Sequence, residues 1–113
     1  DILIEATPKN AEKLLAALTE ANLGTATLID AKELLAHEIT VFQDRVRIDV
    51  QTYTPGLNFF DAWNNRQTME YHGQKFFVAS KADLIASKRA AGREVDLEDV
   101  RLLSLDDLDG QKR

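Results

Sequence analysis

The stretch SKRAAGREVDLEDV, residues 87–100, decides the carboxyl-terminal part of the fold. Lys88 lies near the end of one helical segment, and Gly92 suits the left-handed position that follows a helix. Asp96 and Asp99 come next, where acidic side chains cap the free amides of a new helix. The stretch therefore predicts a pair of helices, of which the second would begin after Asp96 and pack Leu97 and Val100 inward. It also concentrates cations in a chain that is acidic overall.

Two interpretations of these cations stay open. Lys88 and Arg89 would offset the negative end of the first helix dipole, which is a purely structural role. Arg93, however, lies beyond the helix end, and three neighbouring cations could converge on a phosphate chain. Lys88 and Arg93 are therefore candidate phosphate-binding residues.

The composition of the chain limits which classes of protein and of partner are possible. With 113 residues, of which 44% are hydrophobic, the chain is predicted to form one domain over residues 1–113. A net charge of -5 argues against nucleic acid or an anionic membrane as a partner. The absence of cysteine excludes disulfides and cysteine ligands. No apolar run approaches the roughly 18 residues of a membrane span, so the default expectation is a cytoplasmic protein.

Working outward, capping residues and hydrophobic periodicity predict the remaining elements. Residues 2–4 form an apolar strand, Thr7-Pro8 begins a helix, Asp30 begins a second, and Ser80 begins the helix that runs to Gly92. Period-two alternation over residues 39–51 predicts an antiparallel strand pair. With the elements downstream, this order predicts an α+β fold in which helices flank a mixed or antiparallel sheet and a helical pair ends the chain.

Between residues 58 and 78 the sequence predicts a short helix and a hairpin. Asn58 caps a helix that would carry Phe59, Phe60 and Trp63 into the core, an interpretation favoured over an aromatic stacking platform. The dipeptide His72-Gly73 is typical of a hairpin turn.

Asp1 and Asp49 are the candidate metal ligands. Asp1 begins the first strand, and Asp49 lies in mid-strand on its polar face. A carboxylate there is commonly solvated or paired, for example with Arg47. Two strand carboxylates aimed at one point would instead suit Mg²⁺, which takes oxygen ligands.

The usual catalytic motifs do not occur. His37 and His72 lack a partner at the spacing of a zinc site, and the sequence contains no GxSxG, Walker-type or GxGxxG motif.

Residues 46–103 resemble the later half of small bacterial and archaeal nucleotidyltransferases of the DNA polymerase beta superfamily, which include toxin-type enzymes. The resemblance rests on a strand carrying an Asp, a glycine-centred hairpin, and the pattern DLIxxKxxxxRxxDxxD. Here that pattern begins at Asp83 and includes Lys88, Arg93, Asp96 and Asp99. The opening DILIEATPKNAEKLLAAL is similar to the family segment that starts at the last Asp of a DxD strand.

The resemblance implies Mg²⁺-dependent transfer of a nucleoside monophosphate from an NTP to an unknown acceptor. Asp1 would correspond to the second metal-binding and catalytic Asp and Asp49 to the third, while Lys88 and Arg93 would steady phosphate charge. The family's glycine motif and first Asp would lie before residue 1. The expectation is therefore a domain truncated at its amino terminus, with two hypotheses: part of an enzyme, or a non-catalytic remnant that binds a protein partner or itself.

Overall fold

The computed structural model describes residues 1–111, and the chain forms two compact units, Asp1–Thr54 and Pro55–Arg113. The described residues contain five α-helices, one 3-10 helix and five strands, arranged in two small sheets. The predicted α+β class is confirmed, although the strands form a mixed sheet and a separate antiparallel hairpin instead of one sheet. The tail LDDLDGQKR, residues 105–113, predicts a frayed end, but the last helix continues through Gln111, and residues 112 and 113 lie outside the described part of the chain.

The first unit begins with strand β1 and helix α1. Thr7 accepts a hydrogen bond from the amide of Asn10 at 3.3 Å, so the predicted cap of α1 is confirmed. Asp30 caps α2 through the amide of Glu33 at 2.8 Å. The elements of this unit are β1 (Ile2–Leu3), α1 (Pro8–Glu20), a 3-10 helix (Gly24–Leu28), α2 (Ala31–Leu35), β2 (Ile39–Gln43) and β3 (Arg47–Gln51).

The three strands form a mixed sheet in the order β1-β3-β2. β1 runs parallel to β3, and β2 runs antiparallel to it. Alternation alone suggested Ile39 and Val41 as the apolar face of β2, but both are about half exposed. The register pairs Phe42 with Ile48 on β3, and Phe42 is buried. The larger apolar side chain therefore selects the core face of β2.

The core of the first unit lies between this sheet and its helices. Leu34 of α2 and Val50 of β3 are completely buried, and Phe42 is 3% exposed. The remaining buried members come from α1, its C-terminal turn and the 3-10 helix: Ala11, Leu18, Leu23 and Ala26. Because Val50 belongs to this core, its neighbour Asp49 is held on the opposite face of β3.

The second unit contains a short helix, a hairpin and two longer helices. Asn58 accepts from the amide of Asp61 at 3.2 Å, and Ser80 accepts from the amide of Asp83 at 3.1 Å, so both predicted caps are confirmed. Gly92 ends α4 with a φ of 69°, as predicted. The elements are α3 (Phe59–Asn64), β4 (Gln67–Tyr71), β5 (Gln74–Val78), α4 (Lys81–Ala91) and α5 (Glu94–Gln111).

The hairpin of β4 and β5 turns at His72 and Gly73, as predicted. Their φ angles are 50° and 78°, and Tyr71 pairs with Gln74 on either side of the turn. Two consecutive positive φ angles identify a two-residue turn whose twist matches that of the strands.

The predicted burial of the α3 aromatic side chains is wrong for two of them. Phe60 is 70% exposed and Trp63 is 42% exposed. Trp63 stacks on Phe59 with ring centroids 6.1 Å apart, and the guanidinium of Arg66 lies 3.9 Å from its ring centroid. The ring is thus held in a partly exposed stack of aromatic and cationic groups, because α3 has only six residues and buries only Ala62.

The last helix starts three residues earlier than a cap at Asp96 indicates. α5 begins at Glu94, which places Asp96 in its first turn, and Leu97 is 50% exposed instead of packing inward. Val100 is buried, as predicted. The early start follows from Asp96, whose carboxylate accepts from the amide of Arg93 just before the helix.

Within residues 1–111, no helix combines the length and the apolar character that a bilayer crossing requires.

Candidate functional site

The mixed sheet pairs the strand that follows Asp1 with the strand that carries Asp49. β1 pairs with β3 in parallel, with Ile2 opposite Val50. Asp1 precedes β1, and a register continued by one residue would bring it beside Asp49. Neighbouring strands lie about 4.8 Å apart, and aligned residues of parallel strands share a face of the sheet. Asp1 is exposed and Asp49 is partly exposed, so both carboxylates are within reach of an ion from solvent.

Arg47 occupies the Asp49 carboxylate. Its Nε donates to Asp49 Oδ1 at 2.9 Å, and its Nη2 donates to Asp49 Oδ2 at 3.4 Å. These hydrogen bonds, reinforced by the charge of Asp49, raise the pKa of the Arg47 guanidinium. The sequence offered this pairing as the structural alternative to metal binding. The oxygen atoms that would bind a metal ion are the same atoms that accept from Arg47.

Two carboxylates alone would suit only a magnesium ion that brings most of its own ligands. Within the part of the chain that the structure describes, no group of three or more His, Cys, Asp or Glu side chains could hold a metal ion. Mg²⁺ is often bound by only one or two carboxylates, with water and substrate phosphates completing the octahedron. Asp1 and Asp49 could supply two such oxygen ligands.

Lys88 and Arg93, the predicted phosphate-binding residues, lie in the second unit and are both paired with carboxylates. Lys88 Nζ donates to Asp99 Oδ2 at 2.7 Å, which links α4 to α5. Arg93 Nε donates to Asp96 Oδ2 at 2.6 Å, and its Nη2 donates to Asp96 Oδ1 at 3.1 Å. A structural role, pairing with a carboxylate, therefore explains the position of each cation. Phosphate binding by Lys88 and Arg93 stays a prediction.

Asp96 is the most buried charged side chain of this cluster, with a relative exposure of 3%. The hydrogen bond from the Arg93 side chain lowers the pKa of the Asp96 carboxyl, while partial desolvation opposes that shift. The charge of Arg93, its backbone amide and the charge of Lys88 add to the lowering. Asp96 therefore carries its negative charge throughout the neutral range.

The lowered pKa predicts an acid-dependent loss of stability. A carboxyl whose folded-state pKa is depressed stabilises the fold above its unfolded pKa of about 4, and this contribution disappears as the pH falls through the lower folded value. Asp96→Asn should reduce the thermal midpoint at pH 7, and the difference from wild type should shrink below about pH 4. Calorimetric melts between pH 2.5 and 7 measure both effects.

Glu98→Gln is the matched control for this experiment. Glu98 pairs with Arg101 with similar geometry three residues along the same helix, but both side chains are more than half exposed. An exposed pair contributes little to stability, so this variant should melt close to wild type at every pH. Equal effects of the two substitutions would contradict a special role for Asp96.

The pairing of Arg47 with Asp49, which the sequence offered as a structural role for Asp49, is confirmed. Its signal was available, because residues two apart in a strand project from the same face, and Arg47 precedes Asp49 by two. Only the coordinates show that the guanidinium contacts both carboxylate oxygens.

The chain matches no protein-family model, no curated protein and no solved structure.

Proposed function

We propose that this chain is a nucleotidyltransferase-like protein, which in its complete form transfers a nucleoside monophosphate from an NTP to an acceptor. The observation that supports the proposal is the parallel pairing of β1 with β3, in which Ile2 and Val50, the residues that follow Asp1 and Asp49, lie opposite each other. The sequence resemblance assigns metal-binding roles to these same two residues.

In this proposal, the carboxylates of Asp1 and Asp49 orient the nucleotide through a shared cation. Bound Mg²⁺ would neutralise phosphate charge and activate the acceptor hydroxyl. Val50, buried directly after Asp49, fixes the strand, so the carboxylate is presented from a rigid element.

Asp49→Asn is the decisive substitution, because it removes the charge while preserving shape. We expect wild type to bind MgATP and the variant to bind it about tenfold or more weakly, the scale on which metal sites respond to altered ligand shells. Isothermal titration calorimetry with and without Mg²⁺ measures the difference.

Glu12→Gln is the control, since Glu12 is an exposed carboxylate of α1 in the same unit. It should bind MgATP as wild type does. Binding by wild type that is independent of Mg²⁺, or unchanged in Asp49→Asn, would contradict the proposal.

A non-catalytic module that associates with itself or with a protein partner is the second candidate. It is favoured by Met69, Tyr71 and Phe76, which lie on one face of the hairpin and are between 43% and 68% exposed. Contiguous exposed apolar side chains commonly mark interaction sites. Sedimentation that finds the same monomer at every protein concentration counts against self-association.

A further inference from the structure

The second unit has little core of its own. Among its described residues, the buried apolar side chains are Ala62 and Val100, whereas the hydrophobic core cluster lies in the first unit. Units of about 60 residues are marginally stable, and those with a small core usually depend on disulfides, a bound metal or association with another chain. The sequence has no cysteine for disulfides. Covering the exposed apolar side chains of this unit would therefore stabilise it.

The hairpin of β4 and β5 has two different faces. Phe77 lies on the face next to α3, where its ring meets Trp63 edge to face with centroids 5.1 Å apart. Strand alternation and the register place Met69, Tyr71 and Phe76 on the opposite face, called here the outer face. All three side chains are exposed, as is every strand residue of the hairpin but one. A two-stranded hairpin is marginally stable in water unless it packs against another element.

We propose that the outer face of the hairpin binds the same face of a second copy of this chain, related to the first by a twofold axis. The two hairpins would stack about 10 Å apart and enclose a small apolar core between them. This inference rests on the second candidate function, self-association, and adds the surface and the arrangement that produce it.

Charge gives the first argument for a second copy. Glu70 and Lys75, the charged residues of the hairpin strands, are cross-strand partners on the α3 face. The outer face carries only Gln67, Gln74 and Val78 besides its three large apolar side chains, so it has no charge. A twofold axis places a surface against itself, and a charged surface would then repel its own copy. In a chain with a net charge of -5, an uncharged face is the one on which two copies meet without this cost.

The register gives the second argument. Met69 and Phe76 are direct cross-strand partners, and so are Tyr71 and Gln74. A twofold axis that runs along the strands, between β4 and β5, would place β4 of each copy over β5 of the other. Met69 would then pack on the partner's Phe76, and methionine sulfur packs favourably on aromatic rings. The Tyr71 hydroxyl would lie near the partner's Gln74, whose side-chain oxygen can accept its hydrogen bond.

The exposed area sets the expected strength of the dimer. Met69, Tyr71 and Phe76 are 48%, 68% and 43% exposed. Since a large side chain offers about 150–250 Å², the three together expose roughly 300 Å² per copy. Patches of this size are often functional, but a standard interface buries about 800 Å² per partner. We therefore expect a reversible dimer with a dissociation constant of about 10–100 µM.

Tyr71→Lys tests this interface, because it adds a positive charge to both copies beside the twofold axis. The Tyr71 side chain is mostly exposed, so the variant should remain folded. We expect wild type to pass from monomer to dimer as its concentration rises, and the dissociation constant of the variant to be at least about tenfold higher. Sedimentation equilibrium over concentrations that bracket the expected constant measures both, and thermal melts check the fold.

Phe60→Lys is the matched control. Phe60 is 70% exposed, nearly as much as Tyr71, but it belongs to α3. The same charge introduced there should leave the dissociation constant unchanged. A second measurement needs no substitution: in a mixture of isotope-labelled and unlabelled wild type, a filtered NOE should connect the Met69 methyl group to the partner's Phe76 ring.

A weaker dimer in Tyr71→Lys but not in Phe60→Lys, together with this NOE, supports the proposal. Wild type that stays monomeric overturns it, even if the chain sediments with phosphatidylcholine vesicles or captures another protein. If Tyr71→Lys dimerises as wild type does, or if Phe60→Lys is weakened equally, self-association stands and the outer face is overturned as its surface. MgATP binding should be equal in wild type and Tyr71→Lys, so the nucleotidyltransferase proposal stands or falls separately with Asp49→Asn.

Discussion

Gly56→Ala should destabilise the second unit by about 2–5 kcal/mol, the sum of a backbone penalty and a steric one. Gly56 has a φ of +80°, a conformation that costs a residue with a side chain about 1–2 kcal/mol. An added Cβ would also lie 2.7 Å from the Ala86 carbonyl oxygen and 2.8 Å from the Ala90 Cβ. The first of these contacts is with helical backbone of α4, which cannot move aside as a flexible side chain would.

Gly73→Ala separates the two contributions. Gly73 has nearly the same φ, +78°, but a Cβ there meets nothing within 4 Å. This variant should show only the conformational cost of about 1–2 kcal/mol. Urea denaturation, together with amide exchange of α4, measures the difference. Equal losses in the two variants would show that the close approach to α4 has no energetic consequence.

Leu34→Ala should destabilise the first unit by about 2–5 kcal/mol, the range for removing a fully buried leucine. Leu34 has no exposed surface and belongs to the same core cluster as Val50. Truncation leaves a cavity in the core cluster to which Val50 of β3, the strand that carries Asp49, belongs. We therefore expect the variant to have a lower urea midpoint, faster hydrogen exchange of the β3 amides and weaker MgATP binding than wild type.

Leu28→Ala is the control for this change, because Leu28 is 77% exposed in the same unit. Removing an exposed leucine should alter stability by no more than about 0.5 kcal/mol. A large loss in Leu28→Ala, or a small one in Leu34→Ala, would contradict the assigned core.

Local chemistry was readable from the sequence wherever one residue type satisfies a nearby backbone group. Thr7, Asp30, Asn58 and Ser80 each cap the helix that their position predicted. Gly92 was equally readable, because a left-handed residue after a helix favours glycine. Burial was less predictable, as Phe60 shows, since it depends on what lies opposite a side chain.

For the candidate site, too, the sequence predicted some features and the coordinates added others. The sequence singled out Asp1 and Asp49 as acids on strands, and it named Arg47 as a possible partner of Asp49. It contained no information on strand order, which places β1 next to the strand that carries Asp49. For Lys88 and Arg93 the sequence left capping and phosphate binding open, and the coordinates add a carboxylate partner for each.

By itself, then, the sequence determined the helix ends, the hairpin turn and the α+β class, because caps, turns and periodicity act over a few neighbouring residues. Tertiary structure decided which face of β2 is buried, that the chain forms two compact units, and that β1 lies parallel to β3. These features depend on contacts between residues far apart in the chain, whose free energy no local pattern encodes.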